Sequence, residues 1–358
     1  MTNNDNGSRK ISMAVFDEGA VRVESVDLPP RSSGEIDLAM TASAICGSDL
    51  HTVLGHRNTA RRTALGHEGV GRVSSADPDT VDDAGTQLEL GDRVVFALFS
   101  ACNSCDRCRA GLTMKCRELI KYGHESVATP PHATGTLATH IRLLPGVPIL
   151  RVPDDVTDVD VVSAGCAVAT AAAIIDRARP FDIDRPILVF GAGAVGVYCA
   201  AMLSSEGGEV WVRDPSEQRL EVVEEFGARR DDRTERDYPV AIEASGSPTA
   251  FVEAIDAVDL GGHVVAAGSV SAGSTTVTFD PATVVTRRLT ISGIHNYTAK
   301  DFARGVDWLT TCGRHLDLGR LVSPPVQLSN VEEGFDQMHR GTHHRVLVLL
   351  DAALEGDS

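Results

Sequence analysis

The 358-residue sequence has little positive charge and, among its basic residues, very little lysine. It contains 33 lysines and arginines against 50 aspartates and glutamates, for a formal net charge of −17. The lysines are Lys10, Lys115, Lys121 and Lys300. A chain this acidic is not expected to have a polyanion, either nucleic acid or an anionic membrane surface, as its main partner.

A long hydrophobic run is also missing. The first residues, MTNNDNGS, are polar and lack the apolar core of a signal peptide. The most apolar stretch, residues 161–175, is too short to span a bilayer. We therefore expect a cytoplasmic protein, in whose reducing compartment the 8 cysteines serve as metal ligands or free thiols rather than disulfides.

The chain divides into two kinds of pattern. Up to about residue 155, short strand-like runs alternate with glycine and proline turns, which predicts a β-rich domain. Beyond about residue 160, strands alternate with helices, which predicts a doubly wound α/β domain with a parallel sheet. The predicted boundaries are 1–157 for the first domain, 158–295 for the second, and 296–358 for a C-terminal segment that returns to the first domain.

A cysteine cluster has the spacing Cys-x2-Cys-x2-Cys-x7-Cys, formed by Cys102, Cys105, Cys108 and Cys116. Four thiolates so close in sequence can surround one ion tetrahedrally, as in structural zinc sites. An iron–sulfur cluster, two disulfides or coincidence are the alternatives, and ferredoxin spacings differ from this one. A closed shell of four cysteines leaves no position for a substrate.

Further potential ligands are scattered along the chain: Cys46 in CGSDLH, His67 and Glu68 in GHE, and Cys166 in AGCA. Ligands distributed over a fold in this way are typical of a catalytic zinc that keeps one position open. Taken singly, each has another interpretation, because a lone cysteine or histidine is often an ordinary core residue.

A glycine motif, Gly191-Ala-Gly193-Ala-Val-Gly196, follows a predicted strand and opens a predicted helix. Its glycines predict a tight turn against the pyrophosphate of a dinucleotide, which the helix N-terminus would face. Asp214 ends the next strand and could accept both ribose hydroxyls while repelling a 2′-phosphate. This favours NAD over NADP, although Arg213, Ser216 and Arg219 lie close enough to leave NADP open.

These motifs, in this order, resemble the zinc-dependent medium-chain alcohol dehydrogenases over nearly the whole chain. The resemblance implies a GroES-like catalytic domain, a Rossmann cofactor domain, one catalytic and one structural zinc, and a homodimer or homotetramer. The reaction would be hydride transfer between NAD(P) and a small primary or secondary alcohol. One departure is the segment 227–238, which is shorter and more polar than usual in the family, so that an element of the doubly wound sheet is expected to be abbreviated.

The resemblance also implies roles for single residues. Cys46, His67 and Cys166 would be ligands of the catalytic zinc, and Glu68 would approach the metal when water exchanges. Ser48 would take the alcohol proton and pass it through the cofactor ribose to His51.

Two further roles come from the same source. Asp49 would bind the far nitrogen of His67. Arg345 would reach the cofactor phosphates. From the residues alone, the alternative for His51 is a surface histidine, and the alternative for Arg345 is a solvated terminal arginine.

Three arginines give information about the substrate. They lie between the ligand segments of an otherwise acidic chain and are Arg57, Arg61 and Arg62. Guanidinium groups suit phosphate-like oxygens, so these residues predict an anion site. The segments KYGHE (121–125) and GCAVAT (165–170) resemble a branch of the family associated with phosphonate metabolism, which implies a hydroxyalkyl phosphonate substrate. Alternatively, the arginines pair with surface carboxylates.

Other functions share part of these motifs. A dehydrogenase of polyols, cyclitols or amino sugars would carry all of them. A zinc-free quinone reductase would keep the glycine motif and lack the ligands. A zinc-ribbon binding protein would need only Cys102–Cys116 and would leave the second ligand set unexplained.

Overall fold

The computed structural model describes residues 8–57, 59–232, 237–270 and 275–350. The chain forms two compact units: unit 1 comprises residues 1–166 and 317–358, and unit 2 comprises residues 167–316. Both boundaries therefore lie further along the chain than the sequence predicted. The first falls inside a helical segment, where no turn marks it, and the second follows a helix that packs within unit 2.

The strands, in chain order, are β1 (Arg9–Asp17), β2 (Ala20–Leu28), β3 (Ile36–Ile45), β4 (Thr63–Ala64), β5 (Gly69–Ser75), β6 (Arg93–Phe96), β7 (Phe99–Ser100), β8 (Ile120–Lys121), β9 (His140–Leu143), β10 (Ile149–Arg151), β11 (Ile187–Phe190), β12 (Val210–Arg213), β13 (Arg229–Arg230), β14 (Tyr238–Glu243), β15 (Val258–Ala266), β16 (Thr290–Gly293), β17 (Val326–Gln327) and β18 (Val346–Leu349).

The α-helices are α1 (Gly47–Val53), α2 (Asp106–Arg109), α3 (Asp158–Val161), α4 (Ala169–Ala178), α5 (Ala194–Ser205), α6 (Glu217–Glu225), α7 (Pro248–Ala257), α8 (Pro281–Arg287), α9 (Ala299–Thr310) and α10 (Val331–Arg340). A π-helical segment, Ala164–Val168, lies between α3 and α4. Short 3-10 helices occur at Thr113–Lys115, Gly313–His315, Leu318–Leu321 and Leu328–Asn330.

Unit 1 is the predicted β-rich domain. Its main sheet has the order β10-β6-β5-β3-β18-β17, with β9 also paired to β3, and smaller sheets have the orders β2-β1-β4 and β7-β8. The C-terminal strand β18 runs antiparallel to β3, with Val346 opposite Ile45. This pairing brings the last part of the chain beside the residues that follow β3.

Unit 2 is the predicted doubly wound domain. Its six-stranded sheet has the order β13-β12-β11-β14-β15-β16, and every pairing in it is parallel. When the strands are numbered within the unit, their order is 3-2-1-4-5-6. In sheets of this order a dinucleotide binds at the point where the strand order reverses, which here lies between β11 and β14. Strand β13 has only two residues, which confirms the predicted abbreviation; residues 233–236 of that segment lie outside the described residues.

The helical stretch Asp158–Ala178 contains the apolar run noted in the sequence. By length and composition these 21 residues could cross a membrane, but 72% of the relevant window is buried within the protein. A helix buried to this extent is typical of the core of a globular protein. The sequence predicted one continuous helix here, whereas the structure interrupts it with the π-helical segment.

Candidate functional site

Four potential metal ligands meet inside unit 1: Cys46, His67, Glu68 and Cys166. Their ligand atoms all lie within 4.8 Å of one another. The Sγ atom of Cys46 lies 3.1 Å from Nε2 of His67. Cys46, His67 and Glu68 are buried, and Cys166 is partly exposed. The fold therefore collects the scattered ligand set of the sequence at one point.

The local backbone places each ligand for a physical reason. Cys46 is the N-cap of α1, and its Sγ accepts the backbone N–H of Ser48. His67 follows Gly66, whose φ is +87° and where a Cβ would lie 2.6 Å from the backbone nitrogen of Leu137, so that only glycine fits. Cys166 lies on the π-helical segment, an irregularity that is frequent at functional sites.

Asp49 orients the histidine ligand. Its carboxylate lies 3.2 Å from Nδ1 of His67, which leaves Nε2 directed at the cluster. The same carboxylate accepts the backbone N–H groups of Cys46 and Gly66, so it is fixed from three sides. A carboxylate behind a histidine ligand fixes its tautomer and raises its basicity.

We expect the replacement Asp49→Asn to weaken metal binding by about 10–100-fold, because the amide keeps the helix cap but removes the charge behind His67. Competition with a chelator measures this, and Asp27→Asn, at an exposed ion pair with Lys10, is the matched control. Equal metal affinity in the wild type and Asp49→Asn would contradict the role of Asp49.

Glu68 is held by Arg345. The Nε of Arg345 donates to both carboxylate oxygens at 2.9 and 2.8 Å, and the Ser163 hydroxyl donates to one of them at 2.9 Å. Arg345 is only 6% exposed, and the negative charge of Glu68 raises its pKa against the opposing effect of burial. The register of β18 against β3 places Arg345 beside Cys46. The expected contact of Arg345 with cofactor phosphates stays a prediction.

Protons are distributed unevenly over the ligands. Burial opposes ionisation of Cys46, but the hydrogen bond from Cys166 and the charge of His67 bring the pKa of Cys46 well below its usual value. The hydrogen bond to Cys46 and burial raise the pKa of Cys166, and Asp49 and Cys46 raise that of His67 against burial. A cation at this point would replace the shared protons, since metal ligands bind in their deprotonated forms.

Ser48 and His51 lie beside the cluster on helix α1. The Ser48 hydroxyl lies 3.0 Å from both Cys46 Sγ and His67 Nε2. Residues three apart share a helix face, which places His51 on the side of Ser48. The Nδ1 atoms of His51 and His56 are 3.1 Å apart. Burial and the nearby Arg57 lower the pKa of His51, so the neutral ring that can accept a proton is favoured.

A group of basic side chains adjoins the same cluster. Nη1 of Arg57 lies 3.2 Å from Nε2 of His124, whose ring centroid is 5.7 Å from that of His67. Burial and the nearby Lys121 lower the pKa of His124 to about 3. Burial and Arg57 lower the pKa of Lys121. Within the described part of the chain, the charged side chains of Arg57 and Lys121 form no ion pair, although the backbone N–H of Lys121 donates to the carboxylate of Glu125 at 3.0 Å.

The structure separates Arg57 from the other two predicted substrate residues. Arg61 is largely exposed and pairs with Glu18 and, at 3.7 Å, Asp17. Arg62 pairs with Glu24 at 2.6 Å. Arg61 and Arg62 are thus neutralised by surface carboxylates, which corrects their assignment as free anion ligands.

Sequence reasoning assigned no role to Lys121 or His124. Neither lies in a ligand segment. Their signal was the segment KYGHE (121–125), which contains both residues and was noted above only for its resemblance.

The cysteine quartet forms a second cluster in unit 1, with all four Sγ atoms within 4.8 Å of one another. Cys105 and Cys108 are 3.5 Å apart, and Cys102 and Cys116 are 3.4 Å apart. Backbone N–H groups of Ser104 and Cys105 help lower the pKa of Cys102 to about 6. Four converging thiols without a competing histidine or carboxylate form the donor set of a closed tetrahedral site.

In unit 2 the backbone surroundings of the three motif glycines differ, and each favours glycine for a different reason. Gly191 has a φ of +97°, and a Cβ there would lie 2.8 Å from Ser245, which follows β14. A Cβ on Gly196 would lie 1.9 Å from the carbonyl oxygen of Gly191, so glycine allows the helix to approach the strand. A Cβ on Gly193 would meet open space, and α5 begins there without a side-chain cap. The free N–H groups of α5 therefore face a cradle that fits a pyrophosphate.

Asp214 follows β12 beside this cradle. Its carboxylate accepts the backbone N–H of Ala192 at 2.7 Å and that of Ser216 at 2.9 Å. The glycine turn and the acidic residue thus lie together.

Comparison with known proteins agrees with both units. Residues 32–154 match the alcohol dehydrogenase GroES-like domain, and residues 194–311 match the zinc-binding dehydrogenase domain. L-threonine 3-dehydrogenase of Shewanella baltica is 28% identical over 352 residues, which cover 91% of this chain and 96% of that protein.

Solved structures share the fold. An alcohol dehydrogenase of Thermotoga maritima superposes with a TM-score of 0.87 at 23% identity, covering 95% of this chain and 99% of that one. L-idonate 5-dehydrogenase of Escherichia coli gives a TM-score of 0.82 at 20% identity, covering 96% and 99%. Both family domains, in this order and with both ligand clusters, place the chain in the zinc-dependent medium-chain alcohol dehydrogenase family, whose members are oxidoreductases.

Proposed function

We propose that the protein is a zinc- and NAD-dependent dehydrogenase of a small alcohol that carries an anionic group, with a hydroxyalkyl phosphonate as the substrate class. The observation that carries the proposal is the position of two cationic side chains, Arg57 and Lys121, beside the Cys46–His67–Cys166 ligand set; neither forms an ion pair with any residue that the structure describes.

The donor sets support zinc at both clusters. Thiolate and imidazole ligands favour zinc over magnesium or calcium. Cys46, His67 and Cys166 would hold the catalytic ion, because Arg345 already occupies both oxygens of Glu68. This arrangement leaves a fourth position for the substrate. The cysteine quartet would hold the structural ion.

When bound, zinc supplies a Lewis acid that lowers the pKa of the substrate hydroxyl, and the nicotinamide ring accepts the hydride. The chain's own residues would handle the proton. Ser48 is the hydroxyl nearest the ligand atoms and would accept it first. His51, kept neutral by its lowered pKa, would receive it on the same side of α1.

The charge balance of the site supports an anionic substrate. Zinc would neutralise the two thiolates, and Arg345 neutralises Glu68. Arg57 and Lys121 then add two positive charges near Asp49 and Glu125, whose carboxylate accepts the backbone N–H of Lys121, and neither cationic side chain forms an ion pair with a described residue. A partly buried cation without a partner is costly, and a phosphonate or carboxylate on the substrate would compensate it.

The alternative substrate class is a polyol, cyclitol or amino sugar. The similarity to L-idonate 5-dehydrogenase gives it weight, since L-idonate is a polyol carboxylate. L-Threonine, named in another similar protein, is a hydroxy amino acid and belongs to neither of the two classes. Both compounds carry a carboxylate, which is compatible with the same cationic pair.

The position of Asp214 beside the glycine cradle favours NAD over NADP.

We expect a homodimer or homotetramer in the cytoplasm. Light scattering of the purified protein measures the oligomeric state.

A substrate panel tests the proposed class. The zinc-loaded enzyme is assayed for NAD and NADP reduction with 2-hydroxyethylphosphonate, 1-hydroxyalkylphosphonates, neutral alcohols of equal chain length, polyols and L-threonine. We expect the highest kcat/KM with the phosphonates. Turnover restricted to neutral alcohols or polyols would leave a dehydrogenase and overturn the anionic substrate.

Matched arginine variants test the cationic pair. Arg57→Gln should raise KM for the anionic substrate by about 10–100-fold, the value of one charge-assisted hydrogen bond, and leave a neutral alcohol unaffected. Arg61→Gln is the control, because Arg61 pairs with Glu18 at the surface. Lys121→Met should act like Arg57→Gln, with Lys10→Met as its control. Equal effects on anionic and neutral substrates would refute the anion site.

A further inference from the structure

The short polar segment after α6 contains a buried acid that the proposed reaction does not use. Strand β13 pairs in parallel with β12, and Asp231 follows it directly. Its backbone N–H donates to the carbonyl oxygen of Val212 at 2.8 Å. Asp231 therefore lies at the carboxyl edge of the sheet, next to the ends of β12 and β11, where Arg213, Asp214 and the glycine turn are located.

Arg213 is fixed by this acid. Its Nη2 lies 2.6 Å from Oδ2 of Asp231, whose side chain is fully buried, and the Tyr238 hydroxyl donates to the other carboxylate oxygen at 2.9 Å. Nη1 of Arg213 lies 3.3 Å from Glu253. The guanidinium also lies over the ring of Phe190, 5.1 Å from its centroid. Arg213 is thus held by two carboxylates and an aromatic face.

The position of Arg213 bears on which cofactor can bind. Arg213 directly precedes Asp214, the residue expected at the adenosine ribose, and a free arginine there would be a ligand for the 2′-phosphate of NADP. Of the other arginines nearby, Arg230 pairs with Glu217 and Glu224, and Arg229 pairs with Glu209 at the opposite end of the strand pair. Arg219, on α6, forms no ion pair with a described residue and is not subject to this arrangement.

We propose that Asp231, assisted by Glu253, is a positioning residue for cofactor specificity: it withholds Arg213 from the ribose and so selects NAD against NADP. This inference rests on the proposed use of a nicotinamide cofactor. Asp231 acts in two ways, since it satisfies the charge of Arg213 and adds its own negative charge near the place where a 2′-phosphate would lie. The abbreviated β13 matters because it brings Asp231 to the end of β12 within a few residues of α6.

Binding of NADH and NADPH to the full-length zinc-loaded protein, followed by nicotinamide fluorescence, tests the proposal without any alcohol. In Asp231→Asn we expect the Kd for NADPH to fall at least about tenfold, while the Kd for NADH changes less than about twofold. In the double variant Asp231→Asn/Arg213→Ala the gain in NADPH affinity should disappear. Glu209→Gln frees Arg229, which lies at the opposite end of the strand pair, and should change neither constant.

Glu253→Gln is the second variant, because Glu253 is about half exposed and its replacement leaves the buried pair intact. It should give a smaller gain for NADPH in the same direction. Unchanged NADPH affinity in both Asp231→Asn and Glu253→Gln, with NADH binding retained, would overturn the proposal. So would a gain that persists in the Arg213→Ala double variant. Absence of binding of either nucleotide to the wild type would instead refute the dehydrogenase function itself.

Discussion

Cys166→Ala should lower kcat by about three orders of magnitude or more, because the variant loses a ligand of the catalytic metal and with it the Lewis acid that lowers the pKa of the alcohol. Zinc content should fall from about two ions per chain to about one, since the two ligand clusters share no residue. Atomic absorption and initial rates measure both quantities on the same preparation.

Cys312→Ser is the matched control, because Cys312 is exposed and belongs to neither cluster. It should retain both the zinc content and the rate. A Cys166→Ala enzyme that kept full activity with one zinc fewer would contradict the assignment of Cys166 to the catalytic site.

Cys108→Ser should cause the largest loss of stability. Binding free energy at a structural zinc site is also folding free energy, and Cys108 is a buried member of the quartet. We expect the free energy of unfolding to fall by more than about 3 kcal/mol, several times the ordinary effect of a point mutation, which corresponds to a decrease in Tm of about 6–12 °C.

Calorimetry measures this Tm, again with Cys312→Ser as the control. Protein that remains folded at low temperature should still transfer hydride, because the quartet offers no open position to a substrate. A Cys108→Ser variant with the Tm of the wild type and both zinc ions would contradict a structural role for the quartet.

The ligands could be found in the sequence because metal chemistry restricts them to a few residue types. Cys46, His67, Glu68 and Cys166 are scattered, yet each stands in a short motif, and the fold brings them together. Likewise, the parallel sheet of unit 2 could be predicted from the alternation of strands and helices, since parallel strands require crossover connections.

The partners of charged residues could not be found in this way. Arg57, Arg61 and Arg62 are equivalent in the sequence, but only the fold places Glu18 and Glu24 beside the latter two. Arg345 meets Glu68 because of the register of β18 against β3, and register depends on long-range packing rather than on local pattern.

The domain boundaries were displaced for a related reason. Residue 166 lies in a helical stretch without a turn signal, and α9, predicted to begin the returning segment, packs against α4 in unit 2. Such packing between distant helices leaves no trace in local composition.

Transfer of deuterium tests the central claim most directly. The zinc-loaded protein is incubated with NAD and 2-hydroxyethylphosphonate in which both hydrogens on the hydroxyl-bearing carbon are deuterium, and the reduced cofactor is analysed by mass spectrometry. We predict one deuterium per NADH formed, none after removal of the catalytic zinc, and recovery when zinc is restored. Deuterium transfer that is independent of zinc, or no transfer from the phosphonate while a neutral alcohol reacts, would contradict the account.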